Sequence, residues 1–413
     1  MSIAAKAVAQ RLNADTSDRS ATTLPCVCGK FARYVDRRSK SFTTALGEMT
    51  LVRAYYVCDM CNSGFCPRDR SLGMEASSLS PAVTRMSGLV GAMVSFEEGC
   101  ELLTELAGVK TNAKQVERTA EALGAKIAED ESTRSQPDPV GEGPRAKTLY
   151  LGMDGTGIPM RDEALLDRPG KQPDGSAKTR EVKLCTVWSA EKTDKDGVPV
   201  RDKGSVSYTA AIESAASNDT DKELSDFAKR VDREAKRRGF DGASRQVVLG
   251  DGAAWIWNIA SEQFPDAIQI IDRFHVKQHL SDVAKAVYGA NTDLAAGWAR
   301  LCHDALDRGE IDTVIASVDV HAERHDIAKK CVGYLENNRH RMRYAEFKAQ
   351  GLCTSTGVVE AGCKVAIGTR CKRAGMHWTL RGANAIIALR CCKLSGRLED
   401  YWERHAPSNS VAS

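Results

Sequence analysis

KTLYLGMDG (147–155) and RQVVLGDG (245–252) decide how this chain is read. Each is a short apolar run that ends on an Asp followed by Gly, the pattern of a buried strand leaving its sheet at a carboxylate. In an open α/β sheet that edge is where ligands bind. Asp154 and Asp251 are therefore candidate site residues from the outset. Working outward, Arg180–Ser189 and Ser205–Ile212 read as two more strands joined by polar, Gly-containing loops. Asp219–Arg238 reads as an amphipathic helix, Trp255–Phe264 as a helix and Ala267–Ile271 as a last strand.

The order βββαβαβ is that of an α/β ribonuclease-H-like core lacking only its closing helix. Lys277–Gln350 reads as an all-helical insertion, with Trp298, Leu301, Val314, Ile315 and Tyr334 spaced for a bundle, and the missing helix starts near Gly357. In such a core the first and fourth strands are neighbours, so Asp154 and Asp251 come close. Close carboxylates repel unless a cation lies between them. Oxygen ligands suit Mg²⁺ or Mn²⁺, and Glu360 on the late helix completes the cage. Two such ions about 4 Å apart serve phosphoryl displacement, one activating the attacking oxygen and the other stabilising the leaving one. Taken singly, each Asp-Gly is equally well a turn. A thiamine-diphosphate loop needs an Asn after Gly250-Asp251-Gly252, and a haloacid-dehalogenase phosphatase needs a second Asp where Thr156 stands; neither is met.

Toward the N-terminus, Cys26-Val-Cys28-Gly29 and Cys58-Asp-Met-Cys61 bracket a hairpin of Ser41–Leu46 and Met49–Val57, with Gly47-Glu48 as its turn. Two cysteine pairs joined by a hairpin make a zinc ribbon, in which four thiolates around a tetrahedral Zn²⁺ stabilise a segment too small to bury a core. The Cys-x-Cys half is tighter than usual, Cys66 is an alternative ligand, and four unliganded thiols are the plain alternative. Ser80-Pro81 opens a helix through Val94. Phe96–Leu106, a turn at Ala107-Gly108-Val109, and Asn112–Ala128 follow. With Lys114, Gln115 and Arg118 on its first turns, this pair has the helix-turn-helix pattern, which any two-helix hairpin shares.

The 413 residues suggest roughly two to four units. Boundaries are placed at 1–22 (disordered tail), 23–76 (ribbon), 77–135 (helical DNA-binding domain), 136–276 (first part of the core), 277–350 (insertion), 351–405 (closing helices) and 406–413 (tail). Pro137, Pro139, Gly141, Gly143 and Pro144 mark a linker over Asp130–Ala146. No apolar run approaches the roughly 18 residues that span a membrane, and the start lacks the features of a secretory signal. A reducing compartment is the simpler premise for the fourteen cysteines; Cys100, Cys185, Cys302, Cys331 and Cys353 read as small core residues. The net charge of +3 hides a one-sided stretch. Between Ala361 and Leu398 stand Lys364, Arg370, Lys372, Arg373, Arg381, Arg390, Lys393 and Arg397, with no Asp or Glu. Such a stretch points to a phosphate-rich partner or, alternatively, to a basic surface with no ligand.

Eight blocks in order give a resemblance across nearly the whole chain: GEMTLVRAYYVCDMC (47–61), MDGTGIPM (153–160), EVKL (181–184), LGDGAAWIWN (249–258), IDRFH (271–275), RMRYAEF (341–347), STGVVEAGCK (355–364) and KRAGMHW (372–378). Together they resemble the DDE transposases of bacterial insertion sequences, closest to the ISKra group and more distantly the Mutator-type enzymes. The resemblance implies that Asp154, Asp251 and Glu360 are the three catalytic, Mg²⁺-holding acids. Asp272-Arg-Phe-His275 matches the Asp/Cys-x-x-His signature after the second acid, with His275 at the scissile phosphate, orienting a metal ligand, or simply structural. It further implies hydrolysis at the element's ends followed by strand transfer into target DNA. Terminal repeats would be recognised by ribbon and helix-turn-helix, and Lys364, Arg370, Lys372 and Arg373 would hold DNA. Synapsis of two ends implies a homodimer or larger assembly, and the family implies a bacterial, cytoplasmic, nucleoid-associated protein with no membrane partner. A transposase-derived regulator that no longer cuts, and a metal-dependent nuclease or resolvase, are the competing readings. Trp255 and Trp257 are read as packing rather than base-stacking.

Overall fold

Alternation of buried Met49, Leu51 and Arg53 with outward Thr50 and Val52 makes Gly47–Val57 a strand with one covered face. The computed structural model describes residues 3–405 except 76, 135–145, 167, 171, 174, 196 and 216–223. Most of the expected linker, the start of the helix expected from Asp219, and the 406–413 tail lie outside the described residues. The chain divides into two units, Met1–Ala128 with Gly396–Ser413, and Glu129–Ser395.

In the first unit α1 (Ile3–Ala14) precedes the four-stranded antiparallel sheet β1 (Thr23–Pro25), β2 (Phe31–Thr44), β3 (Gly47–Val57) and β4 (Gly64–Phe65), in that spatial order. The β2–β3 turn is Ala45-Leu46 rather than Gly47-Glu48. The Thr44 hydroxyl donates to Gly47 O at 2.7 Å and accepts from Leu46 N at 3.1 Å, while Gly47, at φ 114°, opens β3. The N-terminal stretch is also not the disordered tail expected over 1–22: Ile3–Ala14 is a helix. β4 covers only the end of β3, leaving an open edge that needs partners. Asn13 supplies them, accepting from Val52 N at 2.8 Å and donating to Thr50 O at 3.0 Å. Asp18 continues the seam by accepting from Ala54 N at 2.7 Å, and Ala5 and Ala9 of α1 pack on Met49. After α2 (Pro67–Ser71), three helices follow: α3 (Pro81–Met93), α4 (Phe96–Ala107) and α5 (Ala113–Thr133). Ser80 caps α3 and a Ser95–Glu98 capping box opens α4. Gly108 ends α4 at φ 62°, a left-handed position glycine takes without strain. Val83, Leu103, Val109 and Val116 form the core of this helical group.

The second unit is built on β5 (Thr148–Pro159), β6 (Thr179–Ser189), the small hairpin β7 (Lys192–Thr193) and β8 (Pro199–Val200), β9 (Ser207–Ala211), α6 (Asp226–Arg237), β10 (Arg245–Gly250), α7 (Ala254–Gln263) and β11 (Ile268–Ile271). The five-stranded sheet runs β11-β10-β5-β6-β9, parallel from β11 to β5 and antiparallel beyond it. The first strand does not stop at Asp154. Its parallel pairing with β10 ends at Gly152, but its antiparallel pairing with β6 continues to Pro159 and keeps it extended. Five helices come next: α8 (Arg273–Tyr288), α9 (Asp293–Asp307), α10 (Ile311–Asp319), α11 (Asp326–Asn338) and α12 (Tyr344–Ala349). Then α13 (Gly357–Gly362) runs into a π-helical segment, Cys363–Gly368, and α14 (Thr369–Cys371). α15 (Leu380–Leu394) packs on β9, and α16 (Leu398–His405) belongs to the first unit. Among the described residues no helix is long and apolar enough to cross a membrane.

α13 lies directly on the sheet because two glycines make room for it. A Cβ at Gly152 would sit 2.2 Å from a Val359 methyl and 2.9 Å from the Trp188 ring; one at Gly362 would sit 2.9 Å from Leu184. Both contacts are backbone against side chain, so filling either lifts the helix. Gly152→Ala is expected to destabilise the fold by about 1–3 kcal/mol, the usual cost of overpacking. Urea unfolding of the wild type and variant measures this, and an unchanged midpoint would show that α13 does not rest on that glycine.

Candidate active site and metal centres

Asp154 follows Gly152 by two residues, so it shares the face on which α13 rests. Its register partner on β6 is Leu184, which also touches the α13 side at Gly362. The side chain is held from two directions: Oδ1 accepts from Gly155 N at 2.6 Å, and Oδ2 accepts from the Cys363 thiol at 3.4 Å. Burial lifts this carboxyl above its ordinary range and the Asp251 charge adds to the lift; the Gly155 N–H, the thiol and His275 act against it.

Register explains the Asp154–Asp251 encounter. Leu249 pairs with Gly152 in the parallel ladder, so two residues further along each chain Asp251 comes beside Asp154. Asp251 Oδ1 accepts from Ala253 N at 2.9 Å, turning the loop into α7. The loop is braced by Tyr334 of α11, which donates its hydroxyl to Asp251 O at 3.1 Å. The Tyr334 ring lies against Gly252, where a Cβ would meet it at 2.6 Å and φ is 106°.

Glu360 sits one turn into α13, its N–H donating to Thr356 O at 2.9 Å. A ligand atom from each of Glu360, His275 and Asp272 lies within 4.8 Å of the other two. Among the described residues the structure does not gather Asp154, Asp251 and Glu360 into an equally tight group. His275 links the two sets, being part of the trio while its charge acts on Asp154. Its Nδ1 is buried without a hydrogen-bond partner, 4.0 Å from Asp272 Oδ2. Asp272 differs from the other acids. It is 1% exposed and accepts at both oxygens, from Phe274 N, His275 N, and the N–H and hydroxyl of Thr356. The IDRFH spacing was the signal for it, an N-cap three residues before His275; nothing in the sequence points to Cys363 or Tyr334.

The basic stretch splits by burial. Lys364 and Lys372 are exposed and Arg373 is half-buried. Lys372 donates to the hydroxyl of Thr156, two residues past Asp154. Arg370 is 0% exposed, its guanidinium 5.0 Å over the Trp378 ring, which corrects its assignment as a DNA-holding residue. A cation flanked by Ile367, Cys371 and Trp378 in sequence has an apolar place to bury its stem and a ring face for its charge. Arg390 is also buried and clamps the π segment, donating to Ala366 O and Thr369 Oγ1, each at 2.8 Å, and to Val365 O. Carbonyls released by π geometry thus find donors. Trp255 packs edge-on against Phe227, and Trp257 lies under Arg341. In the first unit Lys114 and Arg118 are exposed and Gln115 is half-buried on the first turns of α5; Lys114 pairs with Glu117 at 2.7 Å.

The hairpin brings Cys26, Cys28, Cys58 and Cys61 together, with all four sulfurs within 4.8 Å. Cys26–Cys61 and Cys28–Cys58 are 3.5 and 3.6 Å apart. Four sulfurs about 2.3 Å from a central ion would be about 3.8 Å apart, so the cluster has nearly that size and can hold a metal. The tight half closes because Cys26 N donates to Lys30 O at 2.7 Å, turning the chain through Gly29 at φ 78°. Cys66 stands apart as the buried N-cap position of α2, which removes it as an alternative ligand. Cys61 is brought down to about 6 by the Ser63 hydroxyl and N–H and then by neighbouring thiols. Cys28 is pushed up to about 12: against the Lys30 N–H, which favours its thiolate, stand the other sulfurs and burial. Four thiolates this close would repel one another unless a cation stood among them. All fourteen cysteines are free of disulfides.

A family model described as "Uncharacterised protein family (UPF0236)" matches residues 30–404. Among curated proteins, a "UPF0236 protein in vanSb 3'region" from Streptococcus gallolyticus is 21% identical over 398 residues, covering 92% of this chain and 78% of the relative. Among solved structures, the "Drosophila P element transposase strand transfer complex" is similar at 10% identity and a TM-score of 0.27, covering 82% of this chain and 84% of that one.

Two outcomes are expected. Metal analysis of the purified chain should find about one ion per cysteine cluster, lost in Cys58→Ser; full occupancy in that variant would remove Cys58 from the site. The second concerns Asp154, whose folded pKa is raised, so the native state holds its proton more tightly than the unfolded chain. The associated stability is present at low pH and lost as pH rises through the raised pKa. Asp154→Asn should therefore raise the melting temperature at neutral pH in chelator, with the advantage vanishing below the ordinary carboxylate range. Calorimetry across pH tests this, and a variant that melts lower than wild type at neutral pH would contradict it.

Proposed function

The chain belongs to the uncharacterised protein family UPF0236, and from that premise we propose that it is a DNA transposase that cleaves and joins DNA strands at an acid site formed by Asp154, Asp251 and Glu360. One observation carries the reading. The sheet order β11-β10-β5-β6-β9, parallel on one side of β5 and antiparallel on the other, brings Asp154 and Asp251 near each other just beyond the last parallel β10–β5 pair. We take this sheet as a ribonuclease-H-like core, α8–α12 as its all-helical insertion, and α13 with the π segment as the closing helix. The eight sequence blocks that resemble DDE transposases support the same assignment.

The donor set fits hard divalent ions such as Mg²⁺ or Mn²⁺, since it consists of carboxylate oxygens whose mutual repulsion a cation relieves. When bound, such ions supply Lewis-acid stabilisation of the attacking and leaving oxygens. The chain's own residues do the rest. Asp154, half-withdrawn from water and restrained at both oxygens, presents a fixed ligand direction. His275, whose side chain is part-exposed beside the acids, supplies an imidazole for a phosphate oxygen or for orienting a metal ligand. Lys364 and Lys372 supply exposed positive charge beside the acids for the DNA backbone. In the first unit the cysteine cluster holds Zn²⁺ as a structural ion. The α4–α5 pair, with Lys114, Gln115 and Arg118, forms a helix-turn-helix that reads the element's terminal repeats. Joining two ends calls for a homodimer or larger assembly.

The deciding assay incubates the full chain with its element's end sequences and Mg²⁺ or Mn²⁺ and maps nicks and joined products. Asp154→Asn, Asp251→Asn and Glu360→Gln are each expected to reduce both products to background while still binding the DNA. Identical products from wild type and Asp154→Asn would refute the assigned chemistry.

A further inference from the structure

We propose that Asp272 is a positioning residue, a buried latch that sets the register of His275, Asp251 and Glu360 toward one another; this rests on the acid-site reading above. The difficulty it solves is one of chain topology. Glu360 arrives on a helix that follows five insertion helices, and Thr356 at that helix's start is 84 residues from Asp272. Helices contributed from so far along the chain have no local bond to fix their rotation or translation over a sheet.

Asp272 provides three ties. Its N–H donates to Gly250 O at 2.8 Å, one residue before Asp251. Its Oδ1 accepts from Phe274 N at 2.6 Å and His275 N at 3.2 Å, capping α8 and fixing the turn that carries His275. Its Oδ2 accepts from Thr356 N at 2.5 Å and from the Thr356 hydroxyl. Thr356 is the N-cap position of α13 and 3% exposed, and its carbonyl accepts the Glu360 N–H. One oxygen thus serves the helix of His275 and the other the helix of Glu360. A parallel tie, Arg273 N to Thr354 O at 3.0 Å, keeps the two segments adjacent.

The same saturation argues against Asp272 as a direct metal ligand, although its oxygens lie within reach of Glu360 and His275. A carboxylate already accepting four hydrogen bonds at near-complete burial would have to surrender some of them to bind an ion, leaving buried N–H groups unpaired. Two acceptor oxygens, each serving two donors, are also what the site requires. Asparagine has one acceptor oxygen and would turn its NH₂ toward donors at one helix or the other.

The test uses the full-length protein and the variants Thr356→Val, Thr356→Ser, Asp272→Asn and Asp154→Asn. Mn²⁺ binding is titrated by electron paramagnetic resonance of the free ion, and nicking is followed against Mn²⁺ concentration. Thr356→Val, which removes one hydroxyl at constant shape, should raise the half-saturating Mn²⁺ concentration roughly 10- to 100-fold, the range seen when groups that orient metal ligands are lost. Nicking should recover substantially at saturating Mn²⁺, and Thr356→Ser should bind as wild type does. Should Asp272→Asn fail to fold, the valine–serine pair still decides. If Thr356→Val binds Mn²⁺ like wild type, whether or not Asp272→Asn loses binding, the latch is refuted. A distinct failure, in which Asp154→Asn also binds Mn²⁺ like wild type, removes the acid-site reading and the latch with it.

Discussion

Two carboxylates on neighbouring strands, each partly withdrawn from water, impose the constraint that the second unit is arranged around. Asp154 and Asp251 meet because β10 pairs in parallel with β5, and the register that buries Val247, Val248 and Leu249 leaves no other place for Asp251. Burial and like charge both push Asp154 toward its protonated form. The surroundings answer with donors rather than with an arginine: a backbone N–H, a thiol and, at longer range, an imidazole. A cation between the two carboxylates would relieve both the burial cost and the like-charge repulsion.

Around that pair close packing brings α13 down to the sheet. Gly152 and Gly362 remove the two side chains that would keep helix and strands apart. Beyond Glu360 the helix loosens into a π segment, and the buried Arg390 collects its displaced carbonyls. This places Cys363 against Asp154 while Lys372 reaches back over Thr156. The insertion helices are engaged as well, since Tyr334 of α11 braces the Asp251 loop from outside the sheet.

The first unit meets a different shortage, that of apolar material. Its sheet core around the knuckles is Ala32, Ala54, Tyr56 and the cysteines themselves. Four sulfurs within 4.8 Å of one another can hold a metal ion, and such an ion would supply what side-chain volume does not. The open edge of β3 is closed by Asn13 and Asp18, side chains standing in for a missing strand.

By itself the sequence determined most strands and helices of the second unit, the exit of β10 at Asp251, the pairing of the cysteine knuckles and the capped start of α3. All of these are local: period, caps and turn residues act within a few positions. What only the tertiary structure decided depends on partners far along the chain. Asp272 looked like part of a motif, and its work became visible only when Thr356 arrived at its second oxygen. Arg370 carried the same charge in sequence as Lys364 and Lys372, yet its neighbours bury it under Trp378. The N-terminal residues read as a tail because they contain no long apolar stretch, and that pattern cannot reveal an unpaired strand edge waiting for an asparagine. Glu360 was chosen by its surroundings and by resemblance; its place beside His275 follows from contacts that no spacing rule encodes.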